Sequence, residues 1–405
     1  QLRTRNIEPK AVMGRDLVTQ EIRYFADRCI LCTRCVRFME EIAGDAVLQV
    51  INRGHRGFID TMTGEVFEHA FSMNIVDVCP VGALVDEDFL FKARSWDLDQ
   101  TASICPGCSQ GCNVSLGTKE NRVLRAKPRH NPEVNSYWMC DHGRKRVVNW
   151  GTTERAEVPM VREDGGLKPV DWGRAINALV DGLRDASGKA RAVVSPFASN
   201  ESLYAVRKLM DRVGFAGGAF RVDNGHEEAL TGFPKLRLRS ERAPNARGAE
   251  ILGFRRSDDA FAGAADHRGV LFVLEDALDG APEGFGENAS LFVFIGDTLS
   301  AAARRAHIVL PSPTFAEMDG TFTNFEGRVQ RFAQATRAPG LARPLWLAAS
   351  AVLARLDGGG ELRTAAAAFA ALAGEYEAYG GLSYEELGFH GANVADARSA
   401  TTAAS

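Results

Sequence analysis

The eight cysteines are the residues of this 405-residue chain whose spacing most clearly indicates chemistry, and all of them lie between positions 29 and 140. Cys29, Cys32 and Cys35 form a C-x2-C-x2-C run, and Cys79 precedes Pro80 further along. Such runs are typical of loops that hold iron–sulfur clusters through cysteine thiolates. A cubane needs one thiolate for each of its four irons. The run therefore predicts three ligands of a first [4Fe–4S] cluster.

A second set of four cysteines follows. Cys105, Cys108 and Cys112 form C-x2-C-x3-C, and Cys140 comes later, inside Met139–Gly143. These predict a second [4Fe–4S] cluster. Spacing alone leaves the cluster of Cys79 open, because in small two-cluster ferredoxins the cysteine before the proline ligates the other cluster.

Two other uses of four cysteines compete with this interpretation. Structural zinc also takes four thiolates, but its sites usually pair two C-x2-C knuckles rather than three clustered cysteines and one remote one. Disulfides are disfavoured because closely spaced runs pair poorly and no secretory signal is recognisable. Iron–sulfur clusters remain the favoured interpretation.

Other polar residues near the cysteines have less specific patterns. Four histidines lie in the cysteine-rich third, none at ligand spacing within a cysteine loop: His55, His69, His130 and His142. We expect them on the surface or beside the clusters. Four basic residues follow cysteines and either raise a cluster's potential by their charge or lie solvated: Arg34, Arg37, Arg144 and Lys145.

Motif and composition divide the chain into four segments: residues 1–100 with the first cysteine set, 101–147 with the second, 148–345 without cysteine, and an Ala-rich helical tail over 346–405. In the third segment, Asp171 is placed to cap a helix that ends near Gly188, and another periodic helix covers 203–213. Apolar runs at 192–194, 269–274, 291–295 and 307–310 predict buried strands. This alternation predicts an open, mostly parallel α/β sheet.

The ends and the bulk composition add further expectations. A helix is predicted over 365–373 after the flexible break at 358–360, and the last ten or so residues are expected to be disordered. The chain starts at Gln1 rather than Met, which suggests a start inside a longer protein. A formal charge of −4 without a basic face argues against nucleic acid, and no run approaches the roughly 20 apolar residues of a membrane span. Membrane association is therefore expected only through a partner.

Longer motifs resemble one family. DRCILCTRCVRF at 27–38, NRG at 52–54 and VCPVGAL at 78–84 resemble the large, 75 kDa-type iron–sulfur subunit of NADH–quinone oxidoreductase, the respiratory complex I. CPGCSQGC at 105–112, through Cys140, is similar to the cluster-binding start of the molybdopterin oxidoreductase superfamily, and PNARGA at 244–249 and DGTFTNFEGRVQ at 319–330 extend the resemblance. Family members begin with a [2Fe–2S] domain and a three-Cys-plus-His segment, and neither is found in this chain.

The resemblance implies an α+β, ferredoxin-like iron–sulfur region followed by an α/β molybdopterin-oxidoreductase-like domain. It assigns Cys79 to the first cluster. It further implies a subunit of a translocating NADH:quinone oxidoreductase that relays single electrons from NADH toward quinone, without substrate chemistry of its own. The implied partners are the NADH- and flavin-binding subunit and the quinone-proximal iron–sulfur subunits. The implied location is the cytoplasmic face of a bacterial inner membrane, bound peripherally.

Catalytic members of the superfamily carry molybdenum or tungsten on two pterin dinucleotides, and this cofactor is expected to be absent here. FRVDNGH at 220–226 has no Cys or Ser at the metal-ligand position, which leaves Asp223, more simply a turn residue. Thr321, Thr323, Asn324 and Glu326 are expected to fix a loop on the rim of the sheet, and Gly296-Asp297 to form a turn. Two alternatives stay open: a formate-dehydrogenase-like enzyme, and the electron-transfer subunit of an NAD-linked hydrogenase.

Overall fold

The computed structural model describes residues 15–150 and 154–395, apart from the side chains of Arg15 and His55. The disorder expected at the last ten residues concerns positions outside these ranges. Among the described residues, no helix is both long and apolar enough to cross a membrane.

Among the described residues, 15–150 form three small antiparallel sheets with short helices. Their elements are β1 (Arg15–Leu17), β2 (Ile22–Phe25), α1 (Arg34–Arg37), β3 (Leu48–Ile51), β4 (Phe58–Thr61), α2 (Asn74–Val78), β5 (Leu84–Asp86), β6 (Asp99–Ile104), β7 (Asn113–Lys119), β8 (Arg122–Pro128) and α3 (Asp141–Val148). A π-helical turn, Phe38–Ala43, continues α1. The strand orders are β1-β2-β5, β3-β4 and β6-β7-β8.

The remaining elements are β9 (Met160–Glu163), β10 (Gly166–Pro169), α4 (Trp172–Asp185), β11 (Ala190–Val194), α5 (Asn200–Val213), β12 (Phe215–Phe220), β13 (Glu228–Ala229), β14 (Arg237–Leu238), α6 (Ala246–Ile251), β15 (Arg255–Arg256), β16 (Val270–Leu274), β17 (Leu291–Gly296), β18 (Ile308–Pro311), β19 (Gly320–Thr323), β20 (Arg328–Phe332), α7 (Leu345–Asp357), α8 (Ala365–Glu375) and β21 (Ala392–Asn393).

An eight-stranded sheet in the order β10-β9-β18-β17-β16-β11-β12-β15 organises this part of the chain. The strands from β18 to β15 are parallel, and the hairpin of β9 and β10 adds two antiparallel strands at one edge. Every residue of β16 and β17 is buried, as expected for central strands covered on both faces. The predicted open, mostly parallel sheet is confirmed.

Helices cover one face of this sheet. Leu179 of α4, Leu209 of α5, Val352 of α7 and Phe369 of α8 share one core with the inward side chains of the strands. On the other face, loop residues such as Phe285 pack against Phe292 and its neighbours. Residues 345–395 therefore contribute to the same core as the α/β segment, and β21 pairs with β20.

The helix predicted after Asp171 is present, and the Asp171 side chain accepts a hydrogen bond from Arg174 N at 2.9 Å. Its predicted end at Gly188 is wrong by three residues, because α4 stops at Asp185 and Ala186 is already extended. Gly188 instead has φ +86° and lies so close to Gly269 that an added Cβ would be 3.2 Å from the Gly269 Cα. The glycine therefore serves the turn into β11 and not the helix end.

Candidate iron–sulfur sites

Cys29 and Cys32 lie on the loop that leads from β2 into α1, and Cys35 is the second residue of that helix. Leu31 and Thr33, each between two cysteines, have left-handed φ values of 54° and 62°. Left-handed backbone at both positions lets the chain turn sharply between successive cysteines. The Cys29 sulfur also accepts a hydrogen bond from Leu31 N at 3.4 Å. Cys35 is buried, whereas Cys29 and Cys32 are half-buried.

Cys79 joins this loop through the pairing of β2 with β5, in which Tyr24 faces Leu84. The strand before the cysteine run and the strand after Cys79 thus run side by side. Arg28 donates to the carbonyl oxygen of Gly82 at 3.1 Å and links the two loops a second time. Burial raises the pKa of the Cys35 thiol to about 12, and neighbouring Cys29, Cys79 and Cys32 add to this shift. The structure therefore brings all four cysteines of the first set together.

Tyr24 is a member of this site that the cysteine pattern does not reveal. Its hydroxyl is hydrogen-bonded to the Cys29 sulfur and accepts from Ile59 N at 3.2 Å. Burial raises the pKa of Tyr24, so the hydroxyl keeps its proton and is available as a donor to a thiolate. Nothing in the sequence marks Tyr24, because an aromatic residue in a short strand is more simply part of the core.

The second run forms the tip of the hairpin of β6 and β7. Ile104 pairs with Asn113, and Cys105 N donates to the carbonyl oxygen of Cys112 at 2.8 Å. Cys105 comes directly after one strand and Cys112 directly before the next, so the hairpin fixes both ends of the run. Gly111 has φ +69°, and an added Cβ there would lie 2.5 Å from Gln330 Oε1. The tip therefore needs glycine both for its turn and for close packing.

Cys140 caps the N-terminus of α3 and completes the second set. Its sulfur accepts a hydrogen bond from Gly143 N at 3.3 Å, and the Cys105 sulfur accepts one from Gly107 N at 3.4 Å. A Cβ at Gly143 would be 2.7 Å from the Cys105 sulfur and 3.4 Å from the Cys140 sulfur. Gly143 thus lies between two of the four sulfurs.

All four cysteines of the second set are buried. Burial raises the pKa of the Cys105 thiol to about 12, and it raises the pKa of Cys112 and Cys140 still more strongly, with the neighbouring thiols of the set adding to each shift. Buried thiols without a metal thus stay protonated, whereas iron ligation requires thiolates. Backbone N–H groups directed at the sulfurs suit the ionised form.

A late segment of the chain covers the second loop. Asn324 donates to the carbonyl oxygen of Gln110 at 3.3 Å, and Gln330 donates to that of Gly111 at 2.9 Å. Thr321 and Thr323 are hydrogen-bonded to Asn200 at 2.9 and 3.0 Å. The contacts of Asn324 agree with its expected role in fixing a loop, whereas Thr321 and Thr323 lie in β19 and the expected role of Glu326 stays a prediction.

The histidines of this region have other contacts. His69 Nδ1 accepts from Phe71 N at 3.1 Å, His130 stacks on Tyr137, and His142 is hydrogen-bonded to the backbone of Gly107. The side chain of His55 is not among the described ones. In the part of the chain that the structure describes, no three His, Cys, Asp or Glu side chains converge at the spacing that a single metal ion needs. All eight thiols are free.

A cleft of about 320 Å³ opens where the parallel strands end, the position at which open α/β sheets bind ligands. Four carboxyl groups line it: Asp223, Glu275, Asp276 and Asp279. Arg221 is paired with Asp276 at 3.1 Å, and burial raises the pKa of Glu275 to about 8. Arg146, over the Trp150 ring at 4.8 Å, forms part of the opposite wall. At neutral pH the cleft therefore combines two arginines with carboxyl groups of which Glu275 is protonated and Asp276 is paired with Arg221.

Comparison with known proteins places three family models along the chain. Residues 19–85 match the ferredoxin-like domain of NADH-quinone oxidoreductase subunit 3, residues 98–147 match the Fe4S4 domain of molybdopterin oxidoreductases, and residues 155–245 and 256–355 match molybdopterin oxidoreductase. These matches, with the two cysteine sets and the α/β sheet, define an iron–sulfur protein in which a ferredoxin-like domain precedes a molybdopterin-oxidoreductase domain.

Among similar proteins, NADH-quinone oxidoreductase subunit 3 of Thermus thermophilus is 43% identical over 163 residues, which are 40% of this chain and 21% of that protein. The NADH-ubiquinone oxidoreductase 78 kDa subunit of Neurospora crassa is 34% identical over 214 residues, 52% of this chain and 29% of the relative. A solved structure, acetylene hydratase from Pelobacter acetylenicus, aligns over 73% of this chain and 74% of its own with a TM-score of 0.44 and 9% identity. The similarity is therefore to subunits of NADH-quinone and NADH-ubiquinone oxidoreductases, and the chain spans less than a third of the length of these relatives.

Proposed function

We propose that this chain relays single electrons through two [4Fe–4S] clusters, on the path from NADH to quinone in the peripheral arm of a complex I. The observation that carries the proposal is the arrangement of eight free cysteines in two sets of four, the first beside the paired strands β2 and β5 and the second at the tip of the β6–β7 hairpin and the start of α3. The first set is Cys29, Cys32, Cys35 and Cys79, and the second is Cys105, Cys108, Cys112 and Cys140. Bound clusters would supply one-electron redox chemistry.

The two sets differ in their access to solvent, and this suggests different tasks. Cys29, Cys32 and Cys79 are half-buried, and Ile30 beside them is 61% exposed. Electron exchange with another protein requires close approach, so the first set is the better candidate for contact with a partner. The second set is enclosed and has only the protein around it. Backbone N–H groups and apolar packing would tune its potential.

Partners and location follow from the proposed function. The partners would be the NADH- and flavin-binding subunit and the quinone-proximal iron–sulfur subunits of the same complex. Contact with a membrane would occur only through that complex, at the cytoplasmic face of a bacterial inner membrane. No nucleic acid is involved in this proposal.

We further infer that the chain retains no molybdopterin. The sequence supports this, because FRVDNGH at 220–226 has no Cys or Ser at the position where catalytic members carry their metal ligand. A formate-dehydrogenase-like enzyme would require this cofactor. An NAD-linked hydrogenase subunit shares the first cysteine set, and genes for hydrogenase subunits beside this one would favour that alternative.

A test in the assembled complex separates electron transfer from structure. Cys32→Ser and Cys112→Ser would be introduced into the native gene, and NADH-driven quinone reduction measured in membranes together with the amount of assembled complex. We expect Cys32→Ser to abolish quinone reduction at normal assembly, since a ligand on the path is lost. Full activity of an assembled Cys32→Ser complex would contradict the proposal, whereas the Cys112→Ser result decides whether the second cluster lies on the path.

A further inference from the structure

The segments that carry Cys79 and Cys140 are hydrogen-bonded to each other. Asn74, the first residue of α2, donates to the carbonyl oxygen of Met139 at 2.9 Å and accepts from Met139 N at 3.2 Å. Asn74 and Met139 are both fully buried. Helix α2, which leads into Cys79, is therefore hydrogen-bonded to Met139, the residue directly before Cys140.

Asp141 adds three hydrogen bonds between the segment that carries Cys140 and the segment that leads to Cys79; we call this contact the junction. Its carboxylate accepts from the Ser72 hydroxyl at 2.6 Å and from Met73 N at 2.9 Å, and its own N–H donates to the carbonyl oxygen of Ala70 at 2.8 Å. The start of α3 is thereby attached to the segment before α2 by both backbone and side chain. Relative movement of the two cysteine sets would break several buried hydrogen bonds at once.

A buried ion pair closes the junction. Arg144 is only 4% exposed, and it donates to Asp77 Oδ2 at 2.8 Å and to the carbonyl oxygen of Ala126 at 3.0 Å. Arginine stays charged even when buried, so this positive charge is permanent. Lys127 also approaches Asp77, at 3.3 Å, but from the solvent side with 40% of its side chain exposed. Arg144 is thus the enclosed partner of the carboxylate.

The two charges of this pair lie on opposite sides of the junction. Arg144 begins the second turn of α3 after Cys140, and its charge lowers the pKa of the Cys105 thiol against the larger effect of burial. Asp77 precedes Cys79 by two residues. In a dry interior such charges are weakly screened. A cluster gains one negative charge on reduction, so a nearby positive charge favours the reduced form and a nearby negative charge disfavours it.

We propose that Arg144 is a positioning residue, held in place by Asp77, whose buried charge raises the reduction potential of the second cluster. This rests on the proposed function, because it requires both clusters. The negative charge of Asp77, which lies near the first set, opposes the effect of Arg144 on the reduction potential. The ion pair therefore influences the difference in potential between the two clusters, and it also links the two segments that carry them.

The test is an anaerobic redox titration, followed by EPR, of the full reconstituted chain and three variants. Arg144→Met removes the positive charge at similar length, and we expect a lower midpoint potential of the second cluster. Asp77→Asn leaves Arg144 charged but removes its hydrogen-bonded carboxylate, while Asp86 and Asp141 remain nearby, and we expect a higher midpoint potential of the second cluster. Arg144→Lys keeps a positive charge. We expect the midpoint potential of its second cluster to be closer to the native value than the potential of Arg144→Met is. A purely structural role would not give shifts of opposite sign.

Arg23→Met is the matched control, because Arg23 pairs with Glu87 at 2.7 Å in the same part of the chain but with both side chains about a third exposed. Shifts of equal sign in Arg144→Met and Asp77→Asn, or shifts no larger than in Arg23→Met, would overturn the inference. If Arg144→Met cannot hold the second cluster, the test rests on Asp77→Asn, which must still raise the reduction potential of the second cluster by more than Arg23→Met changes it. Iron analysis of the native chain comes first, so failure of the two-cluster function is recognised separately.

Discussion

At the scale of single residues, the two cysteine sets lie in different environments. The second set is enclosed by its hairpin, by α3 and by Asn324 and Gln330 from a distant part of the chain. The first set is reached by solvent on the side of Ile30. Each set nevertheless contains its own four thiols. A substitution in one set should therefore remove one cluster and leave the other.

Cys140→Ser should remove the second cluster and leave the first. A serine hydroxyl is a poor ligand for iron, and the remaining three cysteines of that set are held on a different segment from Cys140. We expect a loss of about four irons and of one EPR signal from the reduced chain, since a cubane contains four irons. Cys35→Ser should remove the other signal. Loss of the same signal in both variants would show that the two sets do not hold separate clusters.

Gly143→Ala should remove the second cluster without changing any ligand. The new methyl group would lie 2.7 Å from the Cys105 sulfur and 3.4 Å from that of Cys140, which is too close for the sulfurs to keep their places. Gly166→Ala is the matched control, because an added Cβ there meets nothing within 4 Å. Iron content and the second EPR signal are the measurements. Equal iron in the two variants would contradict the assignment of Gly143.

Glu201 should make the stability of the protein depend on pH. Burial raises the pKa of this carboxyl from 4.5 to about 7, against hydrogen bonds from Thr321. Because the folded-state pKa is the higher one, this contribution is fully present below about pH 4.5 and is lost as the pH rises through 7. The effect amounts to about 3 kcal/mol at most. The melting temperature of the native chain should therefore fall between pH 5 and 8 relative to the melting temperature of Glu201→Gln.

Calorimetry of the two proteins at several pH values measures this difference. Glu326→Gln, at an exposed position, is the control and should show the same pH dependence as the native chain. A melting-temperature difference between the native chain and Glu201→Gln that stays constant with pH would contradict the prediction.

At the scale of elements, the contact between α5 and the hairpin of β19 and β20 supports the second cysteine loop. Asn200, at the start of α5, donates to the hydroxyls of Thr321 and Thr323 and accepts from the Tyr379 hydroxyl at 3.2 Å. These side chains are fully buried. The hairpin continues into Asn324 and Gln330, which hold the cysteine loop, so this network connects the sheet to the second set.

Asn200→Ala should destabilise the chain by roughly 2–4 kcal/mol, because three buried hydroxyl groups lose a partner. Asn177→Ala on α4 is the control, since Asn177 only accepts from Arg355 at an exposed position. We expect that change to stay within about 0.5 kcal/mol. Urea unfolding of the two variants gives both values, and similar free energies of unfolding would argue against the network.

Periodicity predicted the elements of the α/β segment, because apolar positions in α4 and β16 follow the helix and buried-strand patterns directly. The pairing of β2 with β5 was not predictable from pattern, since both strands are short and 59 positions separate Phe25 from Leu84. This pairing is what brings Cys79 to the first set. Spacing therefore predicted seven ligands as two groups, whereas the eighth needed either the family resemblance or the fold. Tyr24 and Arg144 depend on contacts that no local pattern encodes.

At the scale of the whole molecule, two small cysteine-bearing sheets are fixed to one large sheet. Phe38 of the first part contacts Trp138 beside the second set, at a ring distance of 4.9 Å. Gly232 N, from the α/β part, donates to the carbonyl oxygen of Ile42 at 2.7 Å. The two cysteine sets are thus held in one continuous framework.

We expect this framework to hold two cubanes and no other metal. Iron, sulfide, zinc and molybdenum analysis of the anaerobically reconstituted chain, with EPR after reduction, tests it most directly. We predict about eight irons and about eight sulfides per chain, with two [4Fe–4S] signals and no molybdenum. Stoichiometric zinc without iron would contradict the cluster assignment, and stoichiometric molybdenum would make the chain a pterin enzyme instead.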